Sequence, residues 1–177
     1  MRSLSWRRAR VPRDDTWQCY PERVNIVDEL HAVATALRTA GIPYAICGGI
    51  AVTVYGATRT TKDIDIAIAR ADVPRAVAVV APLGYNIPAG PMTFGAGTKQ
   101  ERHVQRVNKI VGAQHLVLDL LIAEAAYAGV LDDRVDVALP AGTITVVSRD
   151  TLLRMKQLAG RPIDLADIQK LEGTDEP

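Results

Sequence analysis

The sequence predicts an α/β (α+β) fold, a mixed β-sheet flanked by helices with further helices at its C-terminal end. Three observations predict it. Apolar residues recur at helical spacing within Pro21–Thr39. A strict two-residue alternation runs through "DIDIAIA", Asp63–Ala69. Two later pairs of apolar runs flank short turns: "RHVQRVNKI" and "HLVLDLLIA" around "VGAQ", then "VDVAL" and "TITVV" around "PAG".

Each element has its own reason. Val24, Val27, Leu30, Ala34 and Leu37 place a stripe on the first helix, which Gly41 ends with Pro43 just beyond. "YAICGG" (Tyr44–Gly49) reads as a short buried strand halted by two glycines. The β-branched residues of "IAVTVYG" (Ile50–Gly56) would suit a strand, but the preceding Gly-Gly turn favours a short helix. In the next strand Ile64, Ile66 and Ile68 face one way, and Asp63, Asp65 and Ala67 the other. "DVPRAVAVVAPLG" is a helix, with Asp72 as N-cap, Pro74 in the first turn and Gly84 closing it. Residues 86–100, rich in Gly and Pro, read as a mobile loop. "EAAYAGV" forms a small element between the two hairpins. Ser148 caps a helix through Leu158, Gly160–Pro162 break it, and Ile163–Leu171 form the last helix.

The length of 177 residues suits one domain, expected over residues 21–177. The net charge of +1 argues against a protein that coats nucleic acid or a polybasic membrane binder. Residues 1–20 hold five arginines against two aspartates, which makes them a flexible basic arm of net charge +3. Cys19 and Cys47 match no zinc-like spacing and cannot build a disulfide framework, so a reduced, cytoplasmic setting is expected. No apolar run reaches membrane-spanning length, so no membrane is expected as a partner.

The chemistry centres on the two aspartates inside the alternating strand. Residues two apart share a face, so Asp63 and Asp65 stand side by side. A one-residue slip would bury both acids, which pins the register. Two adjacent carboxylates repel by about 4 kcal/mol at ~4 Å and an effective dielectric near 20. They persist on a solvated face, or where cations offset them. Hard oxygen ligands on a rigid strand suit Mg²⁺ with substrate phosphates. Gly48 and Gly49 permit a tight turn and close approach of a ligand. A helix starting at Ile50 would offer free N–H groups to an anion there. The thirteen residues 50–62 are enough for a short helix and a return that brings strand 63–69 beside strand 44–47. Asp119 is the one charge in "LVLDLLI", hence in a central strand, and needs a partner there: a shared metal, a hydrogen bond or an arginine.

The glycine pair, a dozen residues, then D-h-D-h and a later h-D-h resembles the nucleotidyltransferase-fold superfamily, the DNA polymerase beta-like group. "RTTKDID" (Arg59–Asp65) is similar to its small bacterial branch of minimal nucleotidyltransferases, aminoglycoside nucleotidyltransferases and AbiE-like toxins. "LLRMKQLAGRPIDLADIQKL" is similar to the AbiE-toxin-like subgroup, and the resemblance spans about residues 24–172. It implies a nucleotidyltransferase-like mixed sheet with C-terminal helices. It also implies two Mg²⁺ ions and an NTP substrate. Asp63, Asp65 and Asp119 would be the catalytic and metal-binding carboxylates, Asp119 also helping to activate the attacking hydroxyl. Gly48 and Gly49 would position the triphosphate, with Gly49 standing where many members carry serine. Arg59 would contact phosphate or stay a solvated charge. Lys156 would reach a phosphate or base, or pair with Asp164 and Asp167, which share a helical face. The expected reaction moves an NMP from an NTP to an acceptor hydroxyl. The acceptor would be RNA, tRNA or protein if the chain is the toxin of a toxin–antitoxin pair, with an antitoxin as partner. The alternatives are an antibiotic or other small molecule, or a fold kept as a non-catalytic binding module.

Overall fold

The computed structural model describes residues 24–173. The expected basic arm at 1–20, with Cys19, lies outside them. Helix α1 (Ile26–Thr39) begins at Asn25, whose side chain accepts from the Val27 N–H. Its buried face is Leu30, Val33, Ala34 and Leu37; the expected stripe residue Val27 is 45% exposed, because it belongs to the first turn. β1 (Tyr44–Ile46) leads straight into α2 (Gly48–Val54). The helix thus starts at the glycines themselves, two residues earlier than expected. β2 (Asp63–Ile68) is followed by a 3₁₀ turn, Arg70–Asp72, and by α3 (Val73–Val80). Asp72 stands at the α3 N-cap but makes no capping bond. It already has helical backbone angles at the end of the 3₁₀ turn, and its carboxylate takes Arg75 instead.

Next come β3 (Ile87–Phe94), β4 (Arg102–Val111), β5 (Gln114–Ile122), β6 (Arg134–Leu139) and β7 (Gly142–Val147). The expected mobile loop at 86–100 is therefore mostly strand. β3 lies at the sheet edge and pairs only with β4, with a register shift between Pro88 and Pro91. An edge position tolerates prolines that a central strand would reject, and exposure on both sides erases any alternation. The helices α4 (Arg149–Ala159) and α5 (Pro162–Gly173) finish the described chain; Ser148 accepts from the Thr151 N–H as the expected cap.

The seven strands form one mixed sheet in the order β3-β4-β5-β2-β1-β7-β6. β2 pairs parallel with β5 and β1 parallel with β7, while the other neighbours are antiparallel. The expected adjacency of strands 63–69 and 44–47 and both hairpins are present. One face packs on α1 and α3: Ile64, Ile66 and Ile68 are fully buried there with Leu118 and Leu120. Each such side chain contributes roughly 1.5–3 kcal/mol, so a register slip in β2 is heavily disfavoured. The other face, through Ala45, Cys47 and Ala67, packs on α2, α4 and α5. The β2 aspartates share that second face. Among the described residues no helix is long and apolar enough to cross a membrane.

Candidate active site

Two rigid features aim the acids. β2 alternation sends Asp63 and Asp65 toward α4 and α5, and parallel pairing sets Asp119 of β5 directly opposite Asp65. Neighbouring strands lie about 4.8 Å apart, so the three carboxylates occupy one small patch of one face. On the far side of Asp119, antiparallel pairing sets Arg106 of β4 opposite it. Arg106 Nε and Nη2 donate to the two Asp119 oxygens at 2.7 Å each, a bidentate pair. Asp119 is 8% exposed, so of the partners open to a lone aspartate in this strand the arginine is the one present.

Gly48 sits directly over Asp65. A Cβ there would fall 1.9 Å from Asp65 Oδ2 and 2.7 Å from Asp65 Cβ, and φ is +61°. Only glycine permits this approach. Behind it, a Cβ on Gly49 would meet Thr61 at 3.0 Å and the Arg59 guanidinium at 3.1 Å. Arg59 is ion-paired with Asp167 of α5. Lys156, 3% exposed, donates to Asp164 at 3.2 Å and Asp167 at 2.7 Å. Burial alone would raise the Asp164 carboxyl, but the Arg161 hydrogen bond and the Lys156 charge outweigh it and hold it below the usual range. The ion-pair reading of Asp164 and Asp167 is thus the arrangement present.

A cleft of about 150 Å³ opens between this sheet face and the α4–α5 corner, lined by Asp65, Arg102, Arg106, Asp119, Tyr127 and Arg161. It adjoins a smaller recess of about 50 Å³ bounded by Gly48, Asp65, Lys156 and Asp164. Gly48, Asp65, Asp119 and Lys156 therefore line the cleft and its adjoining recess, whereas Arg59 lines a separate space with Leu30, Ile50 and Thr61 and reaches α5 through Asp167. Arg106, Arg102 and Tyr127 escaped the sequence reading. For Arg106 a signal existed: Val111 pairs with Gln114 across the turn, which fixes residue 106 opposite residue 119.

Burial, then the neighbouring charges of Asp119 and Asp63, push the Asp65 carboxyl up from 3.8 to about 6, against the opposing pull of Lys156 and Arg161. An acid whose folded value lies above its unfolded one binds its proton more tightly when folded, so its ionised form destabilises the fold. Stability is expected to fall as pH rises from about 4 to about 6, and to stay level above, by about 3 kcal/mol from this group. In metal-free buffer, Asp65→Asn should melt higher than wild type at pH 7, with the gap closing toward pH 4. A gap independent of pH would contradict this origin.

Carboxylate oxygens on one strand, short of countercharge and beneath a glycine that admits a close ligand, fit a hard divalent cation. Among the described residues no group of three or more His, Cys, Asp or Glu side chains is arranged to hold a metal ion. Asp63 and Asp65 are the donors at hand; Asp119 is engaged by Arg106.

A family model for aminoglycoside-2''-adenylyltransferase matches residues 29–106, which span the glycines, Asp63, Asp65 and Arg106. The chain is similar in structure to the lincosamide antibiotic adenylyltransferase LnuA in its lincomycin-bound form, at 15% identity and TM-score 0.57, covering 82% of this chain and 95% of that one. It is similar to a candidate nucleotidyltransferase from Thermotoga maritima at 11% identity and TM-score 0.59, covering 84% and 93%. It is also similar to ANT(2'')-Ia in complex with adenylyl-2''-tobramycin, at 15% identity and TM-score 0.54, covering 85% and 90%. No curated protein matches the sequence. The mixed seven-stranded sheet and these structural likenesses show that the chain has a nucleotidyltransferase-like fold, and the family match covers its segment 29–106, which holds the glycines and D-I-D.

Proposed function

We propose that the protein is a Mg²⁺-dependent nucleotidyltransferase that moves an NMP, most simply AMP from ATP, to a hydroxyl of a small-molecule acceptor of the antibiotic class. The observation that carries this reading is the match to an aminoglycoside adenylyltransferase family over the segment that holds Gly48, Asp63 and Asp65. The neighbours LnuA and ANT(2'')-Ia, whose complexes contain lincomycin and adenylyl-tobramycin, support it. These comparisons favour the small-molecule alternative over RNA, tRNA or protein acceptors and a toxin–antitoxin role. The reaction would run in the cytoplasm, where NTP is supplied.

In this reading the acceptor oxygen attacks the α-phosphorus, the bond to the bridging oxygen breaks, and pyrophosphate leaves. Asp63 and Asp65 would hold the cation, with Asp119 as third carboxylate beside the acceptor, taking the hydroxyl proton and passing it to solvent. Bound Mg²⁺ would supply charge stabilisation at the entering and leaving oxygens. Gly48 and Gly49 would leave room for the phosphates, and Lys156 and Arg59 would supply positive charge behind them. The protein's contribution is placement and a fixed electrostatic environment.

The test is incubation of purified protein with α-labelled ATP, Mg²⁺ and separate acceptors: tobramycin, lincomycin, total RNA and total cell protein. Label is expected on a small molecule, with release of pyrophosphate. Asp63→Ala should lower turnover by about 1,000-fold or more, as expected for an electrostatic group acting at the reacting phosphate. Label on RNA or protein would overturn the acceptor class. No labelling in any arm by wild type would favour a non-catalytic fold.

A further inference from the structure

Asp119 is buried and presents two oxygens, and both accept from Arg106 at 2.7 Å. A cation that joins Asp119 meets the positive charge of that guanidinium and finds the lone pairs on its side of both oxygens already taken. The Arg106 side chain is 35% exposed, and it lines the cleft together with Asp65 and Arg161. A bidentate guanidinium exchanges most readily to another oxyanion of matching geometry, and phosphate is such a partner. Resting on the nucleotidyltransferase reading above, we infer that Arg106 is a positioning residue that withholds Asp119 from divalent cations until the nucleotide's phosphates draw the guanidinium away. The acidic site is then assembled in order. Asp63 and Asp65 are open to a cation in the nucleotide-free protein; Asp119 opens only with the triphosphate in the cleft. Nucleotide and cation binding at Asp119 are coupled, each strengthening the other by the same factor. Arg106 also balances the charge of Asp119, which would otherwise stand as an unpaired buried carboxylate beside Asp65.

The probe is Mn²⁺, with the free ion counted by electron paramagnetic resonance and no turnover required. Wild type without nucleotide should bind Mn²⁺ only at its β2 carboxylates; with the non-hydrolysable α,β-methylene-ATP it should gain, beyond the Mn²⁺ that the analogue holds by itself, a further equivalent that Asp119→Asn does not gain. Arg106→Met should show that further site without nucleotide, with an affinity about tenfold or more above that of wild type. The gain should vanish in Arg106→Met combined with Asp119→Asn. Arg106→Lys, which keeps the charge but loses the fork, should lie between, and it decides the matter if Arg106→Met does not fold. An Arg106→Met protein, or in its absence Arg106→Lys, that binds Mn²⁺ as wild type does would overturn the gate while the nucleotide-induced site still appears. Wild type that binds no Mn²⁺ with or without the analogue would overturn the nucleotidyltransferase reading itself, and the gate with it.

Discussion

Gly48→Ala is expected to cost about 3 kcal/mol of stability and at least about 100-fold in turnover, which makes it one of the most damaging single-methyl additions in the chain. The new Cβ would lie 1.9 Å from Asp65 Oδ2, 2.5 Å from Cγ and 2.7 Å from Cβ. Rotating the carboxylate aside does not help, since the β-carbon of Asp65 is itself too close. Either β2 or the start of α2 has to move. β2 is central, with three fully buried isoleucines on its reverse face, so the displacement falls on Asp65 and the α2 entry. The left-handed backbone at Gly48 adds a separate penalty of about 1–2 kcal/mol for any L-residue. Gly41 separates the two causes: its φ of +64° nearly equals the +61° of Gly48, yet a Cβ there meets nothing within 4 Å. Gly41→Ala should therefore lose only about 1–2 kcal/mol and keep full turnover. Thermal melts and label transfer on the two variants make the comparison. Equal losses at both glycines would mean that backbone strain alone matters and that the contact with Asp65 is unimportant.

The difference between these two glycines was not legible in the sequence, where both simply follow or precede a strand. What could be read was whatever local pattern encodes. β2 alternates so strictly that its faces and the shared direction of Asp63 and Asp65 follow from residue order alone. Asp119 stood out because a charge in an apolar run must be answered by something. Its answer, Arg106, also lay within reach. The hairpin turn at Gly112 and Ala113 makes Val111 face Gln114, and counting back along both strands brings Arg106 to Asp119. The turn "VGAQ" predicts the hairpin but, without knowing which two of its residues pair, leaves the register open. β3 was illegible for a physical reason: an edge strand exposed on both sides carries no burial pattern, and its prolines imitate a loop. Phe94, which lines the cleft, went with it. The pairing of Lys156 with Asp164 and Asp167 could be named from helical spacing, but its burial depends on α4 and α5 closing on α2 and β2, which is tertiary information.

Lys156→Met should destabilise the protein by about 3–5 kcal/mol, because it breaks a buried ion pair by removing one side only. Lys156 is 3% exposed, and Asp164 and Asp167 are each 1% exposed, so the carboxylates left behind cannot hydrate. Asp164 keeps Arg161, whose Nε donates at 2.6 Å, and the Arg161 backbone N–H at 3.2 Å. Asp167 keeps Arg59. Those remaining partners place the loss toward the lower end of the range. Lys156 and Arg161 also face Asp65, but their pull does not outweigh its burial and the charges of Asp119 and Asp63, so a phosphate in the recess under Gly48 would need a cation on the β2 carboxylates beside it. A structural lysine and a phosphate-binding lysine then predict different rescues. Lys156→Met with Asp167→Asn removes one charge of each sign, so it should recover a good part of the lost stability. If Lys156 also serves the nucleotide, the double variant should melt nearly as wild type does but keep a raised KM for ATP. Recovery of both melting temperature and KM would confine Lys156 to joining α4 and α5, and the anion site would pass to Arg106 and Arg161 at the other side of the cleft.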